Sequence, residues 1–120
     1  MTAERQSEGA DVEACQRVDA ALVRAFAFLG RPWNAVLLGA LSSSPAGFRE
    51  LARQVTGISD SMLSDRLTGL TGTGLITRTV DEGPPVSVAY ALTDRGRALI
   101  PALDQISAWA DEHLPEGRSC

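Results

Sequence analysis

The 120-residue chain predicts a mostly α fold carrying one β-hairpin, on three observations. Apolar residues recur at intervals of three and four over five separate stretches, which is helical spacing. Between Leu75 and Leu92 the interval drops to two around a Gly-Pro-Pro turn, which is the spacing of paired strands. Just before that switch, two short helical stretches are joined by Thr56-Gly57-Ile58, and helix, tight Gly-containing turn, helix is the pattern of a helix-turn-helix.

In chain order, Asp11 serves as an N-cap, and Cys15, Val18, Leu22, Phe26 and Leu29 form one stripe of a helix over 11–29 that Gly30 ends. Ala25 and Phe28 widen the stripe. Pro32 suits the first position of a second helix through Trp33, Val36, Leu37, Ala40 and Leu41, which the Ser-Ser-Ser-Pro-Ala-Gly run then breaks. Phe48 to Val55 makes a third, with Phe48, Leu51, Ala52 and Val55 inward. Ser59 caps a fourth, Asp60 complements its dipole, and Leu63, Leu67 and Leu70 face the core. Leu75 to Val80 and Val86 to Leu92 are strands about the turn Asp81-Glu82-Gly83-Pro84-Pro85. Thr93 caps a last helix to about Leu114, with Leu99, Leu103, Ile106 and Ala110 on one stripe, Ile100 and Trp109 beside it, and Pro101 expected to kink it.

A hairpin directly after a helix-turn-helix is a wing. The expected fold is therefore a winged helix-turn-helix with extra N- and C-terminal dimerisation helices. Residues 1–10 are expected to form a flexible lead, 11–114 a single domain and 115–120 a flexible tail, with the DNA-binding core at 47–92 and the dimerisation helices at 11–29 and 94–114. The flanking helices carry more apolar surface than so small a domain covers, so Val18, Leu22 and Phe26 with Leu103, Ile106 and Trp109 are expected to join two copies. A two-fold homodimer also sets two reading helices about 34 Å apart on one DNA face.

An apolar content of 44% with 22% charged residues is ordinary for a globular chain, and no apolar run nears the roughly 18 residues of a membrane helix. The polar start lacks a secretory apolar segment, so the expected location is the cytoplasm. Cys15 and Cys120 are too few and too far apart for a disulfide framework or a zinc site, and no cofactor or metal is expected. His113 stands alone, no nucleophile has a partner base at useful spacing, and the Gly-Leu-Thr-Gly-Thr-Gly run opens no helix after a strand, so no enzyme is read here.

A net charge of -4 runs against DNA binding, because basic residues on phosphates supply most non-specific affinity. The acid is concentrated outside the core. Residues 31–97 hold seven arginines against six carboxylates, a charge of +1, and the flanks hold the remaining -5. The fourth helix presents Ser59, Asp60, Ser61, Ser64, Asp65 and Thr68, short polar side chains suited to base edges, with Asp65 able to accept from cytosine N4. Arg66 either takes a phosphate or pairs with Asp65. Arg49 and Arg53 either position phosphates or lie on a solvated face, and Arg78 at the wing base faces the same choice. The carboxylates of Asp81 and Glu82 at the wing tip would be repelled by the backbone.

Taken together, Cys15, Trp33, Phe48, Glu50-Leu51, Gly57-Ile58-Ser59, Leu63, Arg66-Leu67, Gly74-Leu75, Arg78, the Pro-containing wing, Tyr90, Leu92-Thr93, Gly96 and Trp109 resemble the HxlR family of bacterial winged helix-turn-helix transcriptional regulators, relatives of the MarR group. The resemblance runs from Cys15 to about His113. It implies a homodimer joined through its first and last helices on a palindromic double-stranded DNA operator, with some members answering electrophiles or oxidants through the N-terminal cysteine. This chain departs from the family at Gln16, Arg31-Pro32, Ser61, Asp65, Ser87 and Ala89. The changes at Ser61, Asp65, Ser87 and Ala89 leave the surface less basic, so weak non-specific affinity with shallow salt dependence is expected.

Two readings stay open on the same residues. Cys15 is either a small buried hydrophobe or, at a helix N-terminus, a sensor that forms an intersubunit disulfide. The aromatics Phe26, Phe28, Trp33, Tyr90 and Trp109 are either core or the lining of a pocket for a small-molecule effector. A winged-helix module that binds protein instead of an operator is the alternative function.

Overall fold

The computed structural model describes residues 20–114; the expectations for Asp11, Cys15, Val18, Cys120, the lead and the tail lie outside them. The chain divides into two compact units, Met1–Pro32 and Trp33–Cys120. In the first, residues 20–29 are helical (α1), and the Gly30 and Arg31 amides donate to the carbonyls of Phe26 and Phe28, closing the last turn. Leu22, Val23 and Phe26 are exposed on it.

The second unit runs α2 (Asn34–Ala40), α3 (Phe48–Gln54), α4 (Asp60–Gly72), β1 (Ile76–Asp81), β2 (Ser87–Leu92) and α5 (Asp94–His113). This is the mostly helical, hairpin-bearing winged fold expected. Several element ends shift by about one residue: α2 closes at Ala40 and not Leu41, α3 at Gln54 and not Val55, β1 spans Ile76–Asp81 and not Leu75–Val80, and β2 opens at Ser87 and not Val86. One boundary moves further. The second helix begins at Asn34 and not at Pro32, because Trp33 is its N-cap, held left-handed at φ +78, with its carbonyl accepting from Leu37 N at 2.8 Å. A bulky residue in that conformation is uncommon and needs support from packing. The indole supplies it by lying 3.6 Å from where a side chain at Gly57 would begin, so it fills the space over the turn between α3 and α4.

The core is a leucine cluster. Leu37, Leu38, Leu51, Leu63, Leu67, Leu70 and Ile76 are fully buried, each contributing about 1.5–3 kcal/mol by leaving water. Three of these come from α4, whose inward stripe fixes the angle at which its other face points out. Ser59 closes the front of α4 by accepting from Met62 N at 3.1 Å. Its back end is knitted to α5: Thr93 Oγ1 donates to Gly74 O at 2.6 Å and accepts from Gly96 N at 3.1 Å, while Arg95 donates to Thr73 O. Gly74, at φ +81, makes the turn that lets the chain leave α4 and enter β1.

The hairpin is antiparallel with Ile76 opposite Leu92, Arg78 opposite Tyr90 and Val80 opposite Val88. Of β1 only Ile76 is buried and of β2 only Tyr90 and Leu92, so the ribbon leaves the core past the Arg78–Tyr90 pair and projects as a wing. A bridge between Ala46 and Tyr90, paired both ways at 2.8 and 3.0 Å, anchors its base. α5 continues unbroken through Pro101. Both Pro101 and Arg97, whose carbonyl the missing N–H would have met, are exposed, so water can satisfy that carbonyl.

Candidate nucleic-acid interface

Because Leu63, Leu67 and Leu70 are buried, Ser59, Asp60, Ser61, Ser64, Asp65 and Thr68 are left exposed along α4. The side chains expected on the reading face are therefore brought together on one exposed helix. Their electrostatics are less simple. Arg49 on α3 donates to Asp60 Oδ2 at 2.7 Å and lies 5.2 Å from the centre of the Phe48 ring, so the first turn of α4 already holds a cation of its own chain. Both partners of that pair are mostly exposed, and such a pair adds little stability, about 0–1 kcal/mol.

Arg66 is where the structure narrows the expectation. Its side chain is only 10% exposed and its guanidinium pairs with Asp65, the second of the two alternatives, so it is not presented to a phosphate. The cause is angular. Position 66 lies three residues after Leu63 and four before Leu70, on the buried stripe, and the head escapes desolvation by turning to the carboxylate at the rim. Arg53 and Arg78 are exposed, and neither has an acidic partner among the described residues.

Between α4 and the wing runs an open trough of about 460 Å³ lined by Ser64, Leu67, Thr68, Thr71, Gly72, Arg78 and Tyr90. Tyr90 and Thr71 were not anticipated here. Tyr90 is buried, and the cross-strand pairing puts it beside Arg78. Beyond the trough, Asp81 and Glu82 are exposed, with Asp81 accepting from Gly83 N at the turn.

Three of the aromatics have different surroundings among the described residues. Trp33 sits over Gly57, Tyr90 bridges to Ala46, and Trp109 stacks on His113 at the end of α5 with centroids 5.4 Å apart. His113 Nδ1 in turn lies 3.1 Å from Trp109 O, a last-turn contact consistent with a dipole-capping role. A shallow groove of about 310 Å³ between α2 and α5 is lined by Ala35, Val36, Gly39, Leu103, Asp104, Ile106 and Ser107, with no aromatic among them. Among the described residues no cluster of ligating side chains is arranged for a metal, and no helix is long and apolar enough to cross a membrane.

A polar-faced helix after a tight turn, backed by leucines and flanked by a wing, is matched over residues 28–118 by the model of the HxlR-like helix-turn-helix family. The chain belongs to that family. HxlR-type relatives include the HTH-type transcriptional regulator YodB of Bacillus subtilis, 36% identical over 93 residues that span 78% of this chain and 83% of YodB. The solved reduced form of B. subtilis YodB superposes with a TM-score of 0.70 at 34% identity, covering 80% of this chain and 93% of that one. YodB has also been solved diamide-treated and quinone-bound. The redox regulator HypR in its oxidized form superposes with a TM-score of 0.73 at 27% identity over 78% of this chain and 96% of that one. The chain is thus an HTH-type transcriptional regulator, of a family of DNA-binding regulators and not of enzymes.

Proposed function

We propose that the protein binds a palindromic double-stranded DNA operator as a homodimer in the cytoplasm, reading bases with the front of α4 and answering oxidants or electrophiles through Cys15. The observation that carries the DNA reading is the exposed row from Ser59 to Thr68 on a helix whose leucines are buried. Residues at the front of such a helix approach base edges in the major groove, and Arg53 and Arg78 are the cations available to phosphates. Footprinting on the DNA flanking the gene tests it. A protected inverted repeat with half-site centres about 34 Å apart is expected; no protection at low salt would instead support a protein-binding module.

The Arg49–Asp60 pair makes a quantitative prediction. With Asp60 in place, the carboxylate stands where a phosphate would bind Arg49, so the surface is partly neutralised by itself. Asp60→Asn is expected to tighten binding to random-sequence duplex and to steepen the dependence of log K on log salt by about 0.9, the value for one further phosphate contact. Fluorescence anisotropy across a salt series reads both. An unchanged slope would place Arg49 away from the backbone.

Homodimerisation is supported by the apolar side chains left in water: Leu22, Val23 and Phe26 on α1, Val36 on α2, and Ile106 and Trp109 on α5. The sensing role rests on the diamide-treated, quinone-bound and oxidized forms of the neighbours YodB and HypR and on the sequence resemblance, which implies a responsive cysteine near the start of the first helix, where Cys15 stands. In it, diamide takes two electrons and two protons from two thiols, and Cys15 joins Cys15 or Cys120 of the partner subunit as a disulfide. Such a cross-link would change the separation of the two reading helices. Wild-type protein is expected to release operator on diamide treatment, and Cys15→Ser to hold it. Equal release from both would leave Cys15 a core residue.

A further inference from the structure

A helix in the major groove with a hairpin beside it must bracket the sugar-phosphate ridge at the edge of that groove. On this chain the space between those two elements is the trough behind Ser64 and Thr68, floored by Arg78 and Tyr90. We propose that this trough is a backbone-phosphate saddle, and that Tyr90 is a phosphate-positioning residue within it. The proposal rests on the DNA reading above and adds a division of labour along α4: its first turn reads bases, and its middle holds the ridge.

Four features support it. Ser64 and Thr68 are one helical step apart on the same stripe, rising about 6 Å along α4, and both are exposed on the side that lines the trough. Neither hydroxyl is used within the described chain, whereas that of Thr71, farther back, donates to Leu67 O at 2.7 Å and is spent. From the opposite wall Arg78 brings a guanidinium with no carboxylate partner, and no acidic side chain lines the space. Tyr90 is only 9% exposed, yet it lines the trough and its hydroxyl takes no partner from the described residues. That leaves the O–H free to donate from the lining of the trough, and a phosphate oxygen is an acceptor that suits it. Donors from two walls around one cationic head suit a tetrahedral anion. The acidic tip lies beyond the saddle, toward the end of the wing, where its charge does not oppose the ridge.

Phosphate contacts weaken binding alike on every sequence, which fixes the test. Wild type, Arg78→Gln, Thr68→Val and Tyr90→Phe are titrated against a labelled 30-base-pair random-sequence duplex over a salt series, after thermal unfolding shows each variant folded. Arg78→Gln is expected to weaken binding about tenfold and to flatten the salt slope by about 0.9. Tyr90→Phe and Thr68→Val, each losing a neutral donor, are expected to weaken it about fivefold with the slope unchanged. Normal affinity and slope in all three variants, with wild type binding the duplex, would overturn the saddle and leave the DNA reading standing. Benzoate binding that is lost in Arg78→Gln and Tyr90→Phe while duplex binding is retained would also overturn it, assigning the trough to a small carboxylate. No duplex binding by wild type at low salt would instead remove the DNA reading on which the saddle depends.

Discussion

Gly96→Ala is expected to destabilise the protein by about 3 kcal/mol, lowering the midpoint of thermal unfolding by roughly 10 °C. The direction runs against helix propensity, which favours alanine over glycine by about 1 kcal/mol inside a helix. Space decides the matter. A Cβ on Gly96 would fall well inside van der Waals distance of the Leu75 carbonyl oxygen and 3.2 Å from Leu92 Cδ2. The Leu75 oxygen cannot rotate away, because it is backbone and already accepts from Thr93 N at 3.0 Å. Relief therefore means sliding the front of α5 off the α4–β1 junction, with loss of the Thr93 and Arg95 bonds that tie α4 to α5. Gly69→Ala is the matched control. It is helical, has nothing within 4 Å of the new methyl, and is expected to gain up to about 1 kcal/mol. Calorimetry on the two variants should give opposite signs. A Gly96→Ala protein as stable as wild type would mean that the α5 junction is looser than described.

That junction shows what the sequence could and could not convey. The caps at Ser59 and Thr93 were legible because an N-cap is a local event, decided by a hydroxyl and an amide three residues on. The strands were legible from alternation, and the buried leucines of α4 from their spacing. Trp33 was not, since its left-handed backbone answers to packing against Gly57, a residue 24 positions away. Pro32 alone pointed to an earlier helix start. Arg66 is an intermediate case. Its angular position on the stripe of Leu63 and Leu70 was visible in the sequence, but its charge suggested an outward role, and the angle prevailed because Asp65 was near enough to hold the head. The Arg49–Asp60 pair and the Arg78–Tyr90 trough depend on how α3 crosses α4 and on the exact hairpin register, which spacing does not specify.

Ile106→Glu is expected to weaken the proposed homodimer by two to three powers of ten, about 3–4 kcal/mol, while leaving the isolated protomer folded. In the single chain Ile106 is 48% exposed and Trp109 54% exposed, so a glutamate at 106 remains hydrated there and alters little. In a two-fold interface the same substitution acts twice, placing two carboxylates against a groove whose lining, Val36 and Leu103 included, holds no cation. Operator affinity should fall in parallel, because each reading helix then engages its half-site alone and loses the high local concentration that pairing provides. Binding to random duplex, which needs only one head, should change far less. Trp109→Ala removes area without adding charge and is expected to lie between wild type and Ile106→Glu, as a truncated interface anchor costs about 2 kcal/mol or more. Sedimentation at micromolar concentration beside anisotropy on the footprinted repeat separates the possibilities. If Ile106→Glu sediments as a dimer, the contact surface lies away from the α5 stripe; if it is monomeric yet holds the repeat with wild-type affinity, two linked heads are not what gives this regulator its grip.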